Sequence, residues 1–180
     1  MRITKQNTIA LIIDIQEKLF PVMWKKERLL KNCLILINGL KELEIPMIVT
    51  QQYTKGLGAT LEEIRNAIPG FHYIEKREFS CCDEPSVMES LDQLKAKNVI
   101  ICGIESHVCV LQTAADLKES KYTPIITMDA VSSRFKNNME LAKDRFRYEN
   151  IMLTSTESVL FELTRSSASP EFKTISKLVK

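Results

Sequence analysis

Histidine is scarce in this chain. Only His72 and His107 occur, and neither has a second ligand at zinc-like spacing, so no protein-bound transition metal and no cofactor are expected. No Cys-x-x-Cys is present, which removes a thioredoxin-like redox reading, and the odd total of five cysteines argues against a complete disulfide framework. Cys81 and Cys82 are adjacent and poorly placed to bridge each other, while Cys33 in an apolar helical run and Cys102 in a strand are expected as buried reduced thiols. Gly-x-Gly-x-x-Gly, the Walker loop and Gly-x-Ser-x-Gly are all absent, which lowers nucleotide-binding and serine-hydrolase readings. No apolar run approaches membrane-spanning length, and Met1-Arg-Ile-Thr-Lys-Gln-Asn-Thr8 has no long apolar region; a cytoplasmic protein without a membrane partner is expected. A net charge of only +2 gives no footprint for nucleic acid. The local basic cluster Lys143, Arg145 and Arg147 reads as a solvated helix face.

What is present is ordinary for a globular protein: 180 residues, 44% hydrophobic and 27% charged. One domain over residues 1–180 with a substantial core is expected. Strands and helices alternate. The strands are Thr8–Asp14, Met47–Thr50, Phe71–Glu75, Asn98–Cys102, Pro124–Asp129 and Ile151–Thr154; between and after them, helical spacing marks Arg28–Glu44, Leu61–Ala67, a helix opened by Pro85, Val110–Lys118, Asn137–Tyr148 and Pro170–Val179. Thr154 with Glu157 forms a capping-box signature for one more helix through Leu160 and Leu163. Short apolar strands separated by helices predict an α/β fold, a three-layer α/β/α sandwich with a six-stranded parallel sheet in the Rossmann-like order 3-2-1-4-5-6.

In that order the first and fourth strands meet at the switch point, where α/β folds bind ligands. Asp14 ends the first strand, and Gly103-Ile-Glu-Ser-His-Val-Cys109 follows the fourth, so a carboxylate and a helix-start thiol face each other. With Ser106 as N-cap, Cys109 falls in the first helical turn, whose free N–H groups and dipole favour a thiolate. The other reading of Cys109 is a small hydrophobe at a helix start, and of Asp14 a strand-end cap. A phosphoryl-transfer role for Asp14 lacks the second carboxylate a magnesium site wants nearby.

Four segments together resemble the isochorismatase-like cysteine hydrolases, a family that includes nicotinamidases: Ile12-Ile-Asp-Ile-Gln16, Glu75-Lys76, Gly103-Ile-Glu-Ser-His-Val-Cys-Val110 and Asp129-Ala-Val-Ser-Ser-Arg134. Thr50-Gln-Gln-Tyr-Thr-Lys-Gly-Leu-Gly58 and Pro170-Glu-Phe-Lys-Thr-Ile-Ser-Lys-Leu178 resemble its isochorismatase-domain-containing subgroup. The resemblance implies a catalytic triad of Asp14, Lys76 and Cys109, although Lys76 read by itself is a surface lysine. It also implies a cis peptide at Ile104–Glu105 and an oxyanion hole from the backbone N–H groups of Glu105 and Cys109. Gln51, Gln52 and Tyr53 stand where nicotinamidases carry an Asp-x-His metal motif, which argues against nicotinamide. Phe20, Trp24, Tyr53 and His107 are candidate pocket residues, and Asp129 and Arg134 candidate braces of the adjacent loop. The expected function is metal-independent hydrolysis of a small amide, ester or related acyl compound through a Cys109 thioester. Isochorismate-type ether hydrolysis, or a protein-binding scaffold with an unused triad, are the alternatives. A small-molecule substrate and a homo-oligomer, dimer or larger, are the implied partners.

Overall fold

A computed structural model describes residues 2–180. Six strands, β1 (Thr8–Ile13), β2 (Met47–Gln52), β3 (Ile74–Lys76), β4 (Asn98–Ile104), β5 (Thr123–Ser132) and β6 (Met152–Thr154), form one sheet in the order β3-β2-β1-β4-β5-β6. Every pairing is parallel. The expected topology is therefore the observed one.

The apolar runs of the central strands have a simple cause. Along β1, Ala10 and Ile12 face one layer while Ile9, Leu11 and Ile13 face the other, and all five are buried. A strand covered on both faces has no polar side to show in its sequence. The first layer consists of α1 (Lys26–Glu42), α3 (Glu62–Ala67), α7 (Thr156–Thr164) and α8 (Phe172–Leu178), packed through Leu36, Leu40, Ile64, Leu160, Leu163 and Ile175. The second consists of α4 (Pro85–Gln93), α5 (Leu111–Glu119) and α6 (Lys136–Tyr148), packed through Leu91, Ala114, Leu117 and Phe146. Each such Leu or Phe contributes about 1.5–3 kcal/mol by leaving water.

Several expected boundaries move, each for a local reason. Phe71–Tyr73 is not strand: β3 pairs with β2 only at Thr50–Gln52, and Phe71 and Tyr73 pack ring against ring instead. β3 consequently runs one residue beyond the expected end and delivers Lys76 at its buried terminus. β5 extends past Asp129 to Ser132 because pairing with β4 resumes after a register break, at Gly103 with Val131 and Ile104 with Ser132. The N-cap of α7 is Ser155, whose hydroxyl accepts from Ser158 N–H, so the capping box on Thr154 does not form. A short helix, α2 (Thr54–Leu57), and the bridge between Gln16 and Thr60 complete the loop beside β2; α2 carried no sequence signal. Lys143, Arg145 and Arg147 lie on the outer face of α6, in ion pairs with Glu140, Glu149 and Asp144.

Candidate active site

The carboxyl ends of β1, β2, β3 and β4 converge on one buried cluster. At the end of β1, Asp14 adopts a left-handed backbone with φ of 52°, a conformation Asp tolerates better than most residues. Its N–H donates to Thr50 O, and its carboxylate is fully buried. Thr50 Oγ1 donates to Asp14 Oδ1 at 2.8 Å, and Lys76 Nζ lies 2.7 Å from Asp14 Oδ2. Both oxygens of a buried anion are thus engaged, one by an ammonium, which is what keeps such a charge tolerable away from water.

Lys76 is as deeply buried as its partner, and its head is saturated. Nζ pairs with Asp14 by charge and directs its three N–H groups to Gln52 Oε1 at 2.7 Å and to the carbonyls of Glu78 and Phe79 at 3.2 and 3.3 Å. Burial pulls this ammonium down, but Asp14, with the thiols Cys81 and Cys109, more than offsets it, so Lys76 sits above its ordinary value and is held charged. Gln52 is itself fixed: Nε2 donates to Arg77 O at 2.6 Å, and the backbone N–H donates to Gln16 Oε1 at 2.7 Å. Gln16, fully buried, returns bonds from Nε2 to the carbonyls of Gln52 and Gly58. Thr50, Gln52 and Gln16 are members of this network to which sequence reasoning gave no role.

Gly103 brings the fourth strand in close. A Cβ there would stand 2.1 Å from Ile13 O, and φ is +125°, so only glycine fits. The Ile104–Glu105 peptide is cis. The helix start differs from the expected one. Ser106 is not the N-cap: its hydroxyl turns to Met139 Sδ at 3.1 Å, and Glu105 takes the capping position without a side-chain bond. Ser106–Val110 forms a π-helical turn ahead of α5, in which Val108 and Val110 N–H both donate to Glu105 O. The Cys109 N–H lies between those two, and the Glu105 N–H has no protein acceptor among the described residues. The Glu105 carboxylate accepts from the N–H and Nε of Arg134, so Arg134 braces this loop. Asp129 does not: it caps α7 through Thr156 and binds Asn32 of α1 by its carbonyl.

Cys109 is the thiol of this cluster that opens to a cavity, one of about 110 Å³. The thiol donates to Gln52 Oε1 at 3.7 Å and lies near enough to Asp14 to feel its charge. Burial first, and the Asp14 charge second, push Cys109 up to about 12 against the opposing pull of Lys76. The thiolate expected from the helix start is therefore corrected to a resting thiol, because desolvation and a neighbouring anion outweigh a few backbone dipoles. A second thiol, Cys81, stands 3.8 Å from Thr50 Oγ1 and is likewise raised to about 12 by burial and Asp14. Sequence reading gave it no part in the site.

The four expected pocket residues lie elsewhere. Phe20 packs on the core, and Trp24 lines a separate cavity with Lys25 and Arg28. Tyr53 stacks under the Arg77 guanidinium; His107 bonds Ser133 and Asn138. The wall of the Cys109 cavity is built instead from Leu19, Leu57, Phe79, Ile104 and Val108, with Gln52 and Glu105 as its polar members. No group of three or more His, Cys, Asp or Glu able to hold a metal ion occurs among the described residues.

A doubly wound parallel sheet with a thiol, a carboxylate and an ammonium at its switch point defines an α/β protein with a crevice there of the kind that binds ligands. The chain belongs to the isochorismatase family: the isochorismatase domain is matched over residues 8–158. It is similar to isochorismatase domain-containing protein 2 of Danio rerio, 36% identical over 99% of this chain and 89% of the relative. It is also similar to the secreted isochorismatase effector Isc1 of Phytophthora sojae, 34% identical over 99% of this chain and 87% of the relative. Among solved structures, the MAR1 ribonuclease of Caenorhabditis elegans superposes with a TM-score of 0.93 at 34% identity, covering 99% of this chain and 92% of that one.

Proposed function

We propose that the protein is a metal-independent cysteine hydrolase of a small amide, ester or related acyl compound, with Asp14, Lys76 and Cys109 as its catalytic triad. The observation that carries this reading is a fully buried carboxylate–ammonium pair, 2.7 Å apart, set against a thiol that opens to a cavity. Because Cys109 rests protonated, attack is concerted: Sγ bonds to the carbonyl carbon as its proton passes to Asp14. The oxyanion is received by the N–H groups of Glu105 and Cys109. As the tetrahedral adduct collapses, the bond to the leaving amine or alcohol breaks and that group takes the proton from Asp14, leaving a thioester on Cys109. Asp14 then deprotonates water, which attacks the thioester, and the acid departs as Sγ regains a proton. Lys76 stays charged throughout and holds the carboxylate in register.

The small cavity and the low net charge support a small-molecule substrate over a polynucleotide. The five free thiols support a reducing, cytoplasmic setting, and no helix among the described residues is long and apolar enough to cross a membrane. Leu141 and Tyr148, exposed seven residues apart on one face of α6, support a homo-oligomer of two or more copies, which light scattering tests directly. For the reaction, a panel of small amides and esters is compared between wild type and Cys109→Ala. Turnover confined to the wild type and untouched by exhaustive chelation is expected; turnover that survives Cys109→Ala overturns the triad.

A further inference from the structure

The cavity on Cys109 has walls of Leu19, Leu57, Phe79, Ile104 and Val108, and neither lysine nor arginine is among its lining residues. The cations beside it are already engaged: Lys18, next to Leu19, donates Nζ to Gly56 O at 2.9 Å. Lys76 holds Asp14, Gln52 and two carbonyls. Arg134, outside the cavity and half exposed, holds Glu105 through Nε at 3.2 Å. An entering carboxylate or phosphate would lose water without gaining a cation, and would do so beside Glu105. Size adds a second limit. An apolar cavity of about 150 Å³ takes a benzene ring, so about 110 Å³ holds roughly four heavy atoms.

From this lining and volume we infer that the acyl group is short, uncharged and aliphatic, of about two to four carbons by the same volume comparison. This rests on the hydrolase reading above and names its substrate class. The leaving group extends past Phe79, which is 56% exposed at the cavity edge, and is therefore under looser constraint than the acyl group. Dicarboxylates and phosphodiesters are disfavoured by the same walls.

The charge claim is tested with two electrophiles of equal size, neutral iodoacetamide and anionic iodoacetate, by following the Cys109 peptide in the mass spectrometer. The amide-to-acid rate ratio at Cys109 in the folded protein is expected to exceed that of the same residue in the urea-unfolded chain by about tenfold or more. An equal or smaller ratio overturns the inference. The size claim is tested with p-nitrophenyl esters of increasing chain length. kcat/KM is expected to peak by butyrate and fall toward octanoate, with Phe79→Ala moving the peak to longer chains. A peak at octanoate in the wild type overturns it. Failure of the parent reading looks different: ester turnover then survives Cys109→Ala, whatever the charge ratio.

Discussion

Replacing Asp14 by Asn should move two rates at Cys109 in opposite directions. The thiol is raised from an ordinary 9.0 to about 12, by burial first, then by the charge of Asp14, with Lys76 pulling the other way. At about pH 7.5 a thiol at 12 is ionised to roughly three parts in 10⁵, against roughly three per cent for one at 9.0. Asp14→Asn keeps the burial and the Lys76 charge but removes the anion, so the thiolate fraction rises. Iodoacetamide should then label Cys109 at least about tenfold faster than in wild type, since one pKa unit of relief is a factor of ten. Turnover should fall by about 10²–10⁴-fold, the usual loss when a positioned proton acceptor is removed. Labelling is read on the Cys109 peptide, because Cys82 is more exposed and reacts independently. Slower or unchanged labelling in Asp14→Asn would refute the claim that Asp14 holds the thiol protonated. Unchanged turnover would refute its role as base.

Three further outcomes follow from the same cluster. Gln52→Ala removes the 2.7 Å acceptor from Lys76 Nζ, a charge-assisted bond worth about 1.5–3 kcal/mol, and should lower kcat by about 10–100-fold with the fold retained; full activity would make Gln52 a bystander. Lys76→Met strands a buried carboxylate and should destabilise by about 3–5 kcal/mol in urea unfolding, while adding Asp14→Asn should restore part of that loss; a double variant less stable than Lys76→Met contradicts the ion-pair account. Cys81, Cys82 and Cys109 all sit near 12 against an ordinary 9.0, so the folded state keeps protons the unfolded state sheds. Their contribution to stability is complete below about pH 9 and is lost as the pH climbs toward 12, so Tm should fall across that window. A Tm flat to about pH 11, or a fall that Cys81→Ala does not shallow, counts against the raised thiols.

Much of the fold was legible because β1 and β4 are buried on both faces, and a strand with no wet side leaves an unbroken apolar run. Asp14 and Cys109 were legible for a related reason: each follows such a run, where an α/β sheet places its crevice. Lys76 was not, since its burial depends on an ion pair with a residue far away in the chain; only family resemblance pointed to it. Gln52 carries no mark of its own, because its role arises from reaching Lys76 across from a neighbouring strand. The cavity wall was misread for a similar reason. Aromatic and polar residues near motifs drew attention, whereas the wall is made of plain aliphatics such as Leu19, Leu57 and Val108, whose placement is a tertiary fact. The state of Cys109 was misread because sequence position supplies the helix start but not the desolvation around it.

The central claim is that Cys109 carries the acyl group between two half-reactions. Acid quenching of the enzyme during turnover of a short aliphatic ester, followed by intact mass and peptide mapping, measures this directly. A mass increase equal to the acyl group, confined to the Cys109 peptide and absent from Cys109→Ala, is the predicted result. Turnover by Cys109→Ala, or an acyl adduct mapped to another residue, would contradict it.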